Sequence, residues 1–545
     1  MLKRMFVLFL LVITFVGCDS SKTETTTTTY HTITLLNSYN DTSKSLDDVP
    51  FGEIIELPVD DIENKTFVGW RSGENYYLGD YLVETDITLE AEYEDTKDIF
   101  EYTIIPETGQ ISIDRYIGSA KYLRVPQQID NQYVGVLSRN VFTETDVVEV
   151  ELPKTITMIQ SAFNNVPYLE KVSFYGEYAG YNYKPFSPNQ YEAIITEYSD
   201  VCQIVEDNDT SWKFSAGCPI SEVLEISDFY IPGVGNVQTY RTNVDLNLYD
   251  DGSTDIIFSQ LAFNDVPNLT TIEFPERFKS FFPDMIYKAP NLLNLVFDGN
   301  DKYQVIDNVV YATIEPTQEN PEVQYEMIYY PPALTDKEFT VPDFVNSING
   351  MIFYGFNPHL EVINLGPNIK TIGDEFFLYI SNLKEVNVVE NDGSFYSIDG
   401  VLYKDDILVV YPKHKPGTSF TVPENVREIA PFAFFRQIYL EELILNDKLE
   451  KIDIYAFAET TLIKEINIPS SVISIGSNFI INSAIDIIII NRSSVIDGSI
   501  TNIGSSNYKR DGSFYIPDDS YDDYLQNSNW DDISSIVHRQ SEYIE

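Results

Sequence analysis

Apolar positions along this chain follow one recurring phrase. A large apolar residue, usually aromatic, is followed six positions on by an apolar residue, another three later, and a fourth two after that. The phrase reads Phe163–Leu169–Val172–Phe174, Phe263–Leu269–Ile272–Phe274, Ile286–Leu292–Leu295–Phe297 and Tyr354–Leu360–Ile363–Leu365. It continues as Phe377–Leu383–Val386–Val388, Phe434–Leu440–Leu443–Leu445, Phe457–Ile463–Ile466–Ile468 and Phe479–Ile485–Ile488–Ile490. Phe142 opens a further copy, one residue shorter, through Val147, Val150 and Leu152. Neighbouring copies start 23 residues apart (263 to 286, 354 to 377, 434 to 457), 22 apart (457 to 479) or 21 apart (142 to 163). A fixed period of this length marks stacked repeats.

Each copy reads as one coil of a solenoid. Its last two apolar residues flank a polar or small one (Val172-Ser173-Phe174, Ile466-Asn467-Ile468), the period of a strand with its apolar side turned inward. Pro153, Pro275 and Pro469 follow such strands and end them, because proline cannot donate to a ladder. Ala162-Phe163, Ala262-Phe263, Phe376-Phe377 and Ala456-Phe457 supply the opposite wall, each ring filling the space between coils. A single coil buries too little to fold alone, so stacking drives folding.

These residues carry a resemblance. The pattern of an Ala-Phe wall, a Leu, a strand apolar and a Pro is similar to the BspA-type leucine-rich repeats of bacterial surface proteins. A second-order repeat strengthens it. Val305-Ile306-Asp307-Asn308-Val309-Val310-Tyr311 matches Ser397-Ile398-Asp399-Gly400-Val401-Leu402-Tyr403, and each runs on to a Tyr-Pro and then Phe-Thr-Val-Pro (Phe339–Pro342, Phe420–Pro423). Such hairpin-like inserts recur in the same family. The expected fold is a β-rich solenoid. It is a leucine-rich repeat array with parallel strands on one face and short helical or irregular segments on the other, preceded by a small β-grasp-like module.

The expected organisation is a signal peptide over 1–17, a Thr-rich tether over 18–29 and a β module over 30–95. The first coils occupy 100–177, an insertion or diverged repeats 178–250, and further coils 251–504, with inserts at about 299–345 and 391–424. A cap follows over 505–545. In the 30–95 module, Phe67-Val68-Gly69-Trp70 and the alternating Thr88–Tyr93 resemble an internalin-type B-repeat, with Tyr93 standing where that family usually has Trp. At the other end, Ala484–Ile490 is apolar at the outward positions Ile487 and Ile489 as well as the inward ones. Such a strand calls for cover on both faces. The expected cover is 505–537 folding back, with a final short strand at Phe514–Ile516 and a short helix around Ser520–Gln526.

Charge narrows the partners. The chain carries 35 Lys+Arg against 85 Asp+Glu, a net charge of -50. That field repels phosphate backbones, so nucleic acid is excluded as a partner. Abundant Tyr (38) and Phe (33) supply core material, so the acidity belongs to a folded protein's surface.

The N-terminus adds an address. Lys3-Arg4, the apolar run Met5–Val16 and Gly17 before Cys18 form a secretory signal, too short for a spanning helix, which needs ~20 apolar residues. Phe15-Val16-Gly17-Cys18 resembles a bacterial lipobox, which implies cleavage before Cys18, lipidation of its sulfur, and attachment to the outer face of the cell membrane through that lipid. Cys202 and Cys218 remain, as one disulfide or as two buried thiols.

Catalytic motifs are missing. There is no G-x-S-x-G, H-E-x-x-H or phosphate-binding loop, no histidine pair at metal-ligand spacing, and no cofactor signature. The acid pairs, such as Asp250-Asp251 and Asp522-Asp523, read as solvated surface. What remains is the outward side of the strands: Lys171, Ser173, Thr271, Glu273, Asn294, Asn364, Glu385, Asn387, Glu442, Glu465 and Asn467. Solenoids bind through such faces. This one, mildly acidic with interspersed amides, suits a basic protein or a polar glycan; the alternative is a structural spacer with a merely solvated sheet.

Overall fold

The computed structural model describes residues 29–176 and 256–543, apart from 79, 107–108, 277, 279, 317–321, 355–358, 390–394, 497–512, 528–529 and 531–533, together with four short strands between 204 and 237. The lipidation site Cys18 and the cysteines Cys202 and Cys218 lie outside the described residues. The chain divides into two units, 29–59 with 70–91 and 60–69 with 92–543.

The first unit is a mixed β module. Tyr30–Asn37 forms an antiparallel hairpin with Thr42–Pro50 and runs parallel to Ile87–Asp95, pairing Ile33 with Ile87 and Leu35 with Leu89. Ile33, Leu35, Trp70, Tyr81, Val83 and Leu89 form its core. The Trp70 indole N–H donates to the Pro58 carbonyl at 3.1 Å, so the buried ring leaves no orphan donor.

The second unit is a solenoid of about 14 turns. Its face strands stack in parallel, one per coil: Tyr122–Arg124, Glu149–Pro153, Lys171–Tyr175, Thr271–Glu273 and Asn294–Val296. Lys171 pairs directly with Thr271, so the ladder is continuous across the 178–250 stretch of sequence. Equivalent strands of later coils are Glu338–Thr340, Val362–Leu365 and Glu385–Val388, then Ser419–Thr421 beside Glu442–Ile444. Glu465–Ile468, Ile487–Ile490, Ser513–Ile516 and Val537–Arg539 complete the series. A second wall holds its own parallel sheets of two-residue strands, among them Glu428–Ile429, Lys451–Ile452 and Ser474–Ile475. Helix among the described residues is confined to Thr96–Ile99, Tyr521–Leu525 and short 3₁₀ turns.

Rings run through the core from coil to coil. Phe142, Phe163 and Phe263 stack at centroid distances of 5.1 Å with interplanar angles of 12° and 9°. Tyr411 stacks on Phe434 at 5.2 Å, and Phe457 follows at 5.3 Å with its ring tilted by 37°. One coil departs from the sequence phrase: Phe353, not Tyr354, is the buried ring, in contact with Tyr330 and Phe376. Phe353 occupies the position that is Ala162, Ala262, Ala433 and Ala456 in four other coils and Phe376 in the next one, so its ring fills the core and Tyr354 is left half-buried.

Asparagines lock coil to coil at the proline turns. Asn268 donates to the Pro167 carbonyl at 2.6 Å, Asn291 to Pro267 at 2.7 Å and Asn446 to Pro423 at 2.8 Å, each satisfying a proline carbonyl of the preceding coil.

The two inserts are hairpins that merge into the second wall. Tyr303–Ile306 pairs with Val309–Ile314, and Phe395–Ile398 with Val401–Lys404. Each turn holds two residues at positive φ, Asp307 and Asn308 (50° and 64°) and Asp399 and Gly400 (49° and 73°). That is the turn whose twist suits a two-residue hairpin. The third strand of each insert, Gln324–Tyr329 or Ile407–Val410, pairs in parallel with the next coil.

The C-terminus differs from expectation in one respect. Ser513–Ile516 and the helix Tyr521–Leu525 are present, but the last strand is Val537–Arg539, paired beyond Ser513–Ile516. These strands extend the sheet sideways instead of covering its outer side. Cover comes from further on: Tyr543 packs on Tyr515 at 4.9 Å and its hydroxyl donates to Glu465 at 2.8 Å. Glu465 and Tyr515 lie on the strands either side of Ile487–Ile490, so Tyr543 crosses the outer face that carries Ile487 and Ile489. Both isoleucines are half-buried.

Candidate ligand face

Register decides which outward side chains meet. Across the first five strands Glu149, Lys171, Thr271 and Asn294 form one row, with Glu151 and Ser173 in the next. Asn294 donates to the Thr271 hydroxyl at 3.3 Å, and Lys171 bridges to Glu273 at 2.5 Å. Arg124 bridges to Glu151 at 2.5 Å and lies 4.2 Å over the Tyr175 ring. Burial raises the carboxyls of both Glu149 and Glu151, in Glu151 against the lowering effect of Arg124. Ser173 is not part of an open face: it is 6% exposed, beside this packed Arg-Glu-Tyr group.

The second stretch is an amide ladder. Asn387 donates to Asn364 at 3.1 Å, and Asn364 donates to Glu338 at 2.7 Å and Thr340 at 3.1 Å. Glu385 stands exposed in the neighbouring row, paired with Val362. Just before the strands, Glu361 bridges Lys384 at 2.6 Å and Lys337 at 2.9 Å. The two lysines, Lys384 first, hold its carboxyl down to about 2.

The third stretch contains Glu442, bonded to Ser419 at 2.7 Å, and Glu465 and Asn467. Asn467 accepts from Asn491, and Glu465 is engaged by Tyr543.

The eleven sequence candidates therefore fall on four separate ladders. Lys171, Thr271, Glu273 and Asn294 share one with the buried Ser173, Asn364, Glu385 and Asn387 another, Glu442 lies on a third, and Glu465 and Asn467 on the fourth. Sequence reading missed the cross-coil ion pairs at Lys337–Glu361–Lys384. Their signal was available: the three sit 24 and 23 residues apart, one coil each, with alternating sign. Among the described residues no group of three or more His, Cys, Asp or Glu is placed to hold a metal ion, and no helix is long and apolar enough to cross a membrane.

The repeats match the family model of the BspA type leucine rich repeat region. The match has six copies, over residues 134–206, 334–400 and 413–511. The matched segments contain the amide ladder and the Ser419–Glu442 pair. Among solved structures, the chain is similar to a leucine-rich repeat protein from Eubacterium ventriosum (14% identity, 77% of this chain and 76% of that one, TM-score 0.31). It is similar also to the pneumococcal vaccine antigen PcpA (16%, 81% and 95%, TM-score 0.31). A third is a leucine rich cell surface protein from Faecalibacterium prausnitzii (16%, 76% and 92%, TM-score 0.33). No curated protein matches.

Proposed function

We propose that this is a non-catalytic protein of the bacterial cell surface, anchored by lipid on Cys18, that binds an external protein or glycan through the outer face of its parallel strands. The observation that carries this reading is a set of exposed carboxylates on the outer face, Glu338 and Glu385 two coils apart on one ladder and Glu442 on the next sheet, the first two beside amides already fixed by one another. Such a surface is rigid before a ligand arrives, which lowers the ordering cost of binding. Its excess of acid favours a basic protein segment or a hydroxyl-rich glycan. The signal and lipobox-like residues, with the BspA-type repeats, support the surface address.

A spacer without a ligand is the second reading, favoured by the internal pairing of face charges around Glu361. Screening the secreted chain against protein and glycan arrays separates the two. Selective binding that is weakened by Glu385→Lys with Glu442→Lys supports the binding face; no binding across the arrays supports the spacer.

A further inference from the structure

We propose that Lys413 is a carbamylation site, whose ε-amine captures carbon dioxide within a small apolar cavity. Lys413 follows Tyr411-Pro412 at the exit of the second insert and is 8% exposed. Its Nζ donates to the carbonyl oxygen of Leu378. The acid that acts on it electrostatically, Glu459, is bridged instead to Arg436 at 2.6 Å. The equivalent position of the first insert is Pro332, so the amine is particular to this coil.

The cavity beside it measures about 30 Å³ and is walled by Phe377, Leu378, Leu383, Val409, Phe432 and Phe435. A water molecule needs about 10–15 Å³ by the same measure, so the space suits a guest of two or three heavy atoms. Walls that are mostly apolar favour an apolar guest. Carbon dioxide is apolar, has three heavy atoms, and carries an electrophilic carbon.

The amine is prepared for it. Burial first, and the Arg436 charge second, lower its ammonium to about 7, so near neutrality much of it is unprotonated with a free lone pair. That pair forms the N–C bond, one C=O π pair moves onto oxygen, and an amine proton leaves to water. No oxidant, reductant or further reactant is required. The product is a carbamate anion. Arg436, which opposes an ammonium here, attracts a carbamate: its guanidinium and the Lys413 Nζ lie over the same Phe435 ring, at 5.0 and 5.4 Å. Of the nearby acids, Glu459, bridged to Arg436, acts on the amine less than Arg436 does, and Asp374, at the cavity edge, is exposed to solvent.

The test is ¹³C NMR of the folded protein with ¹³C-bicarbonate at pH 6 and pH 8. Chemical trapping of the carbamate as its ethyl ester and peptide mass mapping follow on the unmodified protein. The expected result is a carbamate resonance that grows from pH 6 to pH 8, an ester mapping to Lys413, and loss of both in Lys413→Met. Arg436→Gln lowers occupancy about two- to fivefold, the size of a partly screened charge pair. No resonance at pH 8, a label on exposed lysines without Lys413, or a signal surviving in Lys413→Met would overturn the assignment. The mapping needs no variant, so a misfolded mutant does not blunt it.

Discussion

Removing one core ring should loosen the solenoid next to the cut and nowhere else. Phe457 is fully buried, lies 5.3 Å from Phe434, and its backbone N–H is bonded to the Phe479 carbonyl in the next coil. Phe457→Ala leaves a ring-sized cavity between those coils, at a cost of about 3–5 kcal/mol. Of that, the lost ring contact with Phe434 accounts for ~0.5–1.5 kcal/mol. Because each coil touches only its neighbours, the loss is local. At about 1.4 kcal/mol per tenfold, exchange of protected amides in the flanking coils accelerates by roughly two to three and a half orders of magnitude. Hydrogen exchange read by mass spectrometry follows this peptide by peptide. Peptides over 428–490 should lose protection while those over 132–175 keep theirs. Uniform loss across 100–543, or none, would refute the nearest-neighbour reasoning.

Four further outcomes follow from particular residues. Gly400 sits at φ 73° with Glu385 side-chain atoms 2.9–3.0 Å from where a Cβ would lie, so Gly400→Ala should cost about 1–2 kcal/mol in strain alone and lower the urea midpoint; an unchanged midpoint would contradict the turn geometry. Deleting 540–545 should uncover Ile487 and Ile489 and give concentration-dependent oligomers in light scattering, whereas a strictly monomeric product would show that the tail is not their cover. Glu361 should titrate near 2 by NMR and move up toward the ordinary carboxylate range in Lys384→Met; no movement would mean that the bridge is not its cause. In the absence of carbon dioxide, Lys413 binds its proton more weakly folded than unfolded. Stability should therefore rise with pH between about 7 and the ordinary lysine value of 10.5, by up to about 1.4 kcal/mol per pH unit, and be lowest below 7. Melting of Lys413→Met should lack that rise, and an identical slope in both proteins would exclude it.

The coils were legible because every turn buries the same positions, and nine copies of Phe-to-Leu-to-strand spacing leave little freedom. The hairpin turns were legible too, since Asp-Asn and Asp-Gly supply the positive φ that the turn requires. The second wall was not: a strand of two residues such as Lys451–Ile452 is too short to show alternation. Nor was the Phe353 exchange, where the sequence offers two adjacent aromatics and only packing chooses. The reach of Tyr543 to Glu465 spans 78 positions and has no local signature. Ser173 read as outward by period, yet the Arg124–Glu151 pair and Tyr175 crowd its side of the sheet. The cavity beside Lys413 could not be read either, because its walls come from three coils.

The binding face is the central claim, and the most direct test is affinity of a ligand found on the arrays, compared between the unmodified protein and Glu385→Lys/Glu442→Lys. Both side chains are exposed and neither lies in the core, so the fold should survive the change. The account predicts at least about tenfold weaker binding for the variant, with unaltered melting, and a loss of that difference as salt rises. Equal affinity for the two proteins would contradict it.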